Sequence, residues 1–388
     1  MMTRISVVCF VCVFGLACGC GSRSGLSAAK KGMAALRDGH NEKAIAYFTA
    51  ATERNPSSPE LYYHLGLAHL KQGNIEPAQK AFQMALDLEP AELKAHVLGG
   101  LGQVAFHQKE YARAFAALGQ ALQIAPDDET RVRVLATMGI VETYCQNYSL
   151  ARLHYLRALH LDQKYAPARY NLSVLYQDQY GLVAEALDEF GMFLHSLGEK
   201  DTNRRDIAEK RIVRLRAKLD QAVARTEVRR NATRAATLLE DGKNAQASRQ
   251  YPRAIAAYKS ALAADPLAYE AAYELGRVYR LQGMRAEALE AFKKASELYH
   301  PMQQECSCQA AELALQLRQP AEALMILNQA IARSPYNPAA LKLAALAYQA
   351  EAQIPEAIAY GEFYLSIAPG SEPDRAAFEQ RIQALKQR

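Results

Sequence analysis

The sequence predicts an all-α fold, a solenoid of short helix–turn–helix units arranged in two blocks. Three observations carry this. Residues 59–92 read as two amphipathic helices joined by a turn. A small residue followed 12 positions later by alanine then recurs along most of the chain. No segment carries a convincing strand pattern.

The chain has 388 residues, 46 basic and 41 acidic, with a net charge of +5. Half of them are hydrophobic and 22% are charged, as in a folded soluble protein. The charge is too mild to argue for nucleic acid, and no polar base-reading residues recur at fixed points of the repeat.

The first element is a targeting segment. Met1 to Arg4 carries one positive side chain and Ile5 to Leu16 is apolar. That run is too short to span a bilayer and is expected to be a secretory signal over residues 1–20. Its end, Leu16-Ala17-Cys18-Gly19-Cys20-Gly21-Ser22, resembles the lipobox of bacterial lipoproteins. The resemblance implies lipidation of Cys20 or Cys18. It also implies an anchored protein facing the periplasm, with the outer membrane favoured over the inner because no Asp follows either cysteine. More than one acyl chain is needed for stable anchoring.

Residues 25–199 form the first block, of about five repeats. Its clearest copy is 59–92. Tyr62, Leu65, Leu67 and Leu70 recur at helical spacing, and Gln72-Gly73-Asn74 breaks the run. Ala78, Ala81, Phe82, Ala85 and Leu86 make the second helix, which Pro90 stops. Gly66, Ala78 and Ala85 let the two backbones approach, and such a pair needs neighbours to bury its remaining apolar surface. The other copies start at Gly32, Gly102 and Gly139, with a looser one at Ser173, where the spacing to the following alanine is 13. Short insertions near Leu93 and Glu129 are expected to lengthen turns between repeats.

Residues 200–234 break the pattern. Arg204 to Arg234 holds eleven Lys or Arg and four Asp or Glu. Ile207, Ile212, Leu215, Leu219 and Val223 form a narrow apolar stripe. The expectation is a basic capping or connecting helix; a decayed repeat stays open. Residues 235–388 form the second block, of about four repeats starting at Gly242, Gly276, Ala311 and Ala345, closed by a C-terminal helix.

This pattern resembles the tetratricopeptide repeat family, whose period is about 34 residues. The resemblance covers most of residues 25–371; the family's Trp is absent, with Tyr or Leu in its place. It implies a protein-interaction scaffold whose concave face is lined by the first helix of each repeat. Residues three, four and seven apart share that face. Projected onto this chain, the resemblance names Tyr63, Leu67, Leu70, Lys71, Phe106, His107, Ile140, Tyr144, Tyr170 and Val174 in the first block. In the second it names Tyr273, Arg277 and Arg280, which would suit an acidic peptide. These positions are distinct from the small-residue packing positions, so the core need not demand them, though packing of some of these aromatics against neighbouring repeats stays open as the alternative.

Chemistry-bearing motifs are missing: no GxSxG, P-loop, HExxH or GxGxxG after a strand occurs. His64, His69, His96 and His107 lack metal spacing and fit a helix surface. Cys306 and Cys308, two apart on a helix, point to nearly opposite sides and have no second pair to complete a zinc site. No enzyme activity, cofactor or metal is expected. The expected partners are other proteins or peptides, and a membrane through the lipid anchor, in support of an envelope complex. Two alternatives stand beside this: contact of the 204–234 helix with an anionic polymer or lipid surface, and self-assembly into a homo-oligomer.

Overall fold

The computed structural model describes residues 23–198, 201–224, 231–298, 301–372 and 374–387. The segment with Cys18 and Cys20 lies outside them, as do residues 225–230 of the basic stretch. The described residues form twenty α-helices, one π-helical turn and no strand. None of these helices is long and apolar enough to cross a membrane. Two compact units divide the chain: residues up to 179 with 188–208, and residues 180–187 with 209–388.

Four helix pairs open the first unit: α1 (Arg23–Arg37) with α2 (Asn41–Arg54), α3 (Pro59–Gln72) with α4 (Ile75–Asp87), α5 (Lys94–His107) with α6 (Tyr111–Gln123), and α7 (Asp128–Tyr144) with α8 (Tyr148–Leu161). Then come α9 (Ala166–Leu175), the π-helical turn Tyr176–Tyr180, α10 (Val183–Ser196) and α11 (Thr202–Ala224). Four more pairs follow: α12 (Ala232–Ala247) with α13 (Tyr251–Ala264), α14 (Tyr269–Leu281) with α15 (Arg285–Glu297), α16 (Gln303–Gln316) with α17 (Pro320–Arg333), and α18 (Pro338–Ala350) with α19 (Ile354–Ile367). Helix α20 (Arg375–Lys386) ends the chain.

Local chemistry sets the helix ends. Pro59 and Pro338 stand in the first turn, where no intrahelical N–H is lost, and Ser58 and Asn337 accept from the amides three residues on. In every copy but the fifth, the first helix is followed by a left-handed residue seven positions after its small residue. Gly39, Gly73 and Gly283 fill this place, but so do Lys109, Gln146, Arg249, Arg318 and Ala352. The chain then turns back so that the next amide bonds a carbonyl five residues earlier, as Asn74 N–H does to His69 O at 2.9 Å and Glu110 N–H to Ala105 O at 2.9 Å.

In six pairs a glycine on the first helix faces a large side chain 16 positions later. A Cβ at Gly66 would lie 2.7 Å from the Phe82 ring, and one at Gly139 2.5 Å from Tyr155. Gly32 faces Phe48, Gly102 faces Leu118, Gly242 faces Tyr258 and Gly276 faces Phe292 in the same way. All six of these large residues are buried. Where the residue is Tyr, its hydroxyl finds a partner on the first helix: Tyr258 donates to Gln246 Oε1 at 2.7 Å, and Tyr155 Oη lies 3.2 Å from Thr143 Oγ1. Within each compact unit, first helices of successive pairs also touch (α3 with α5 and α5 with α7; α12 with α14 and α16 with α18), whereas second helices hardly do. The first helices therefore line the closer, inner face.

Three expectations change here. The insertion near Glu129 does not lengthen a turn. It adds about one helical turn to the start of α7, whose 17 residues begin with Asp127 accepting from the Thr130 amide at 2.7 Å. The odd spacing of 13 in the fifth copy is taken up by the π-helical turn, which absorbs one extra residue between Ser173 and Gly181. The stretch 200–234 is not one continuous helix: α11 is described as far as Ala224, and the non-helical Asn231 caps α12 from Ala232. The buried stripe of α11 is Ala208, Ile212 and Leu215, while Ile207 and Leu219 are exposed. The Val223 side chain lies outside the described residues.

Helix α20 buries Phe378, Ile382 and Leu385. Its Arg375 donates to the last carbonyls of α19, Leu365 O at 2.6 Å and Ala368 O at 2.8 Å, which satisfies groups a terminal helix would otherwise leave open.

Candidate functional site: the inner face of the first helices

On the first compact unit, the inner face of α3, α5 and α7 encloses a hollow of about 70 Å³. That is below the ~300–1,000 Å³ of a small-molecule site, so the hollow is scaled to one side-chain end rather than a cofactor. Tyr63, Leu67, Leu70 and Lys71 come to it from α3, Gly99, Gln103 and Phe106 from α5, and Arg133, Val134, Thr137 and Ile140 from α7. Tyr165 and Pro167 close it at the start of α9.

Six residues named from the sequence meet at this hollow: Tyr63, Leu67, Leu70, Lys71, Phe106 and Ile140. His107 and Tyr144 lie outside it, both exposed, with the Tyr144 ring edge-on to Phe106 at 4.9 Å. Tyr170 packs on Phe190 and Phe193 of α10, at 5.9 and 5.2 Å, and Val174 is buried. The expectation that the core does not demand these positions holds for only some of them. Tyr63, Leu70, Phe106, Ile140 and Val174 are all buried, because neighbouring first helices approach closely enough to cover them. Tyr63, for instance, contacts Phe82 at 6.0 Å and His96 at 6.0 Å. Truncating Tyr63 or Phe106 would therefore test the core and the face together. Tyr144, 43% exposed, separates them.

Of the four histidines expected on the surface only His107 is exposed; His64 and His69 are half-buried and His96 is buried. His64 stacks on Phe48 at 5.5 Å. His96 is buried, and its Nε2 lies 3.1 Å from Thr130 Oγ1. Burial holds the pKa of both rings down at about 4, so they are neutral at pH 7. The hollow's charge then comes from Lys71 and Arg133, and no carboxylate is among the described residues lining it.

In the second unit, Tyr273, Arg277 and Arg280 do share the inner face of α14, but they are not a free basic patch. Arg277 donates to both Glu274 oxygens at 2.8 and 3.1 Å, and its guanidinium lies 5.8 Å from the Tyr273 ring centre. Tyr273 donates to Glu305 at 3.0 Å, and Arg280 to Gln309 at 3.1 Å. The acidic residues interleaved with the arginines remove the expected preference for acidic peptide.

Cys306 is fully buried and Cys308 half-buried. Burial pushes their thiols up to about 12 and about 11, so both stay protonated and unreactive. Among the described residues no three His, Cys, Asp or Glu side chains are grouped to hold a metal ion.

Gly99, Gln103, Arg133 and Thr137 were not singled out from the sequence. A signal existed for Gly99. Three residues before the small residue, six of the other first helices carry a longer side chain (Tyr63, Tyr170, Leu239, Tyr273, Cys308 and Lys342), whereas α1 carries Ala29, α7 Ala136 and α5 Gly99.

The family model described as tetratricopeptide repeat matches residues 30–92, 65–129 and 239–299. A protein from Oryza sativa subsp. japonica, the SGT1 homolog, is 30% identical over 102 residues, which is 26% of this chain and 28% of that protein. The chain thus spans little more than a quarter of the length of that curated relative. Among solved structures, a tetratricopeptide protein of Thermus thermophilus is 20% identical, with a TM-score of 0.44 over 49% of this chain and 99% of that one. Pseudomonas aeruginosa pilF is 17% identical, with a TM-score of 0.39 over 67% of this chain and 97% of that one.

Proposed function

From the premise that this chain is a tetratricopeptide-repeat protein, a fold that serves as a protein-interaction scaffold, we propose that it is a lipid-anchored scaffold of the bacterial cell envelope. It would bind protein or peptide segments on the inner face of its first helices and support assembly of an envelope complex. The observation that supports the binding face is the set of bulky side chains on it. Tyr144 remains 43% exposed beside the buried Phe106, and Lys71 and Arg133 flank an apolar hollow. Exposed aromatic anchors of this kind carry much of the energy where a partner covers them.

The test is crosslinking from native membranes followed by capture of the full chain and its partner. Tyr144→Ala is expected to weaken the captured partner by about 1–3 kcal/mol, the range of an aromatic anchor, with the helical melting curve unchanged. A sharp fall in melting temperature with binding intact would assign Tyr144 to the core.

The anchor has its own test. Labelled fatty acid should enter the full-length protein, and replacing both Cys18 and Cys20 with Ser should abolish the label and release the protein from membranes. Undiminished labelling of that double variant would remove the lipoprotein reading. Single replacements would identify the acceptor.

A second reading rests on α11, where Lys210, Arg214, Arg216 and Lys218 are all exposed. Contact with an anionic polymer or lipid through this helix would weaken steeply with salt, and groove binding by an apolar anchor would not. Self-assembly is the remaining alternative, and it would show as a mass that rises with concentration.

A further inference from the structure

Gly99 sits in the middle of α5, where glycine weakens a helix. Its neighbours Gly100 and Gly102 are required by packing: a Cβ on either would come within 2.6 Å of Phe82 or Leu118. No such demand exists at Gly99, whose Cβ would meet only Val134, at 3.8 Å. The fold therefore tolerates a side chain at 99, yet the sequence leaves one out. The same position carries Tyr63, Tyr170 and Tyr273 in three first helices and Leu239, Cys308 and Lys342 in three others, while α1 has Ala29 and α7 has Ala136. The result is the hollow of about 70 Å³ between α3, α5 and α7. At roughly 10–15 Å³ for each water, it has room for several waters or the end of one large side chain.

Its walls are apolar where a side chain would enter, with Tyr63, Leu67, Val134 and Ile140 around it. Its charged groups are of one sign. Lys71 and Arg133 lie on α3 and α7, to either side of α5, and no carboxylate is among the lining residues. Asp127, just outside the lining, accepts from the Thr130 amide at 2.7 Å and also feels the Arg133 charge, so a peptide carboxylate would share that cation with it.

We propose that the Gly99 hollow is a seat for one bulky apolar side chain of a bound peptide segment, with an acidic residue of that segment beside it paired to Arg133. The partner's side chain takes the place that tyrosine fills in three of the other repeats. Apolar burial would supply affinity, and the Arg133 cation would select the charge of the flanking residue. Gly99 is then a specificity-determining residue of the groove, and the inference rests on the groove reading above.

The test is selection of random 12-residue peptides, displayed on phage, against the purified full chain, followed by fluorescence anisotropy of the leading synthetic peptide. Enriched peptides should share a Leu, Met, Phe or Tyr within two residues of an Asp or Glu. Gly99→Leu should weaken the peptide at least tenfold and Gly99→Ala several-fold, with melting temperatures equal to or above that of the unaltered protein. Arg133→Glu should remove the acidic preference from a repeat selection. If Gly99→Leu does not fold, Gly99→Ala carries the test, because its methyl group has clearance. Peptides that bind equally well to both glycine variants would overturn the seat while leaving the groove reading in place. Enriched peptides that lack acidic residues would overturn the charge pairing. Failure to enrich any peptide would overturn the groove reading, and the seat with it.

Discussion

Phe82→Ala is expected to lower the stability of the first compact unit by about 3–5 kcal/mol, the usual cost of deleting a buried ring. Phe82 has no exposed surface. It fills the space left by two glycines on two different first helices, since a Cβ at Gly66 would lie 2.7 Å and one at Gly100 2.6 Å from its ring. It thus closes its own helix pair and joins that pair to the next, and neither helix can collapse into the void without breaking the other contact. In a unit of this size the loss corresponds to a melting temperature lower by about 6–20 °C. Met84→Ala, two residues away and 45% exposed, should stay within about 0.5 kcal/mol. Circular-dichroism melts of the two variants check this. Equal melting temperatures would mean that the pairs are not locked through this ring.

Mild acid is expected to destabilise the same unit through its interior histidines, among them His64, His96 and His154, of which His64 and His154 carry the test. Burial holds the pKa of His64 at about 4 and that of His154 at about 3, both below the ordinary 6.5. Arg157 adds to the shift of His154, whereas Glu60 works against that of His64. The folded pKa values are depressed, so the unfolded chain takes up protons first as the pH falls. The contribution is complete above about pH 6.5 and is lost on descending towards 4 and 3. At 1.36 kcal/mol per pH unit, each ring costs about 2 kcal/mol at pH 5. His64→Phe keeps the stack on Phe48, and His154→Leu removes a buried Nδ1 that has no hydrogen-bond partner. The double variant should therefore lose less stability than the unaltered protein between pH 7 and 5, read as the urea midpoint. An unchanged pH slope would show that these rings do not titrate with folding.

The sequence by itself determined the helix pairs and their register. Small residues 12 before an alanine and 16 before a large side chain recur because two backbones meet at each of them, and that local need is written in seven of the nine copies, the fifth and ninth departing from it. Helical spacing alone also put Tyr63, Leu67, Leu70 and Lys71 on one face of α3. The tertiary structure decided what pattern could not. Gly73 reads as a turn, but Lys109, Gln146, Arg249, Arg318 and Ala352 adopt the same left-handed conformation with no turn signal of their own. Packing of both flanking helices outweighs the roughly 1–2 kcal/mol that each such residue costs. Periodicity likewise tells which residues share a face but not how closely the next repeat covers it. That is why Tyr63 and Phe106 prove buried and Tyr144 exposed, and why His96 is a neutral interior ring. The Gly99 hollow exists only because three first helices converge on the place of one missing side chain, and that convergence belongs to the stacked repeats and not to any single copy.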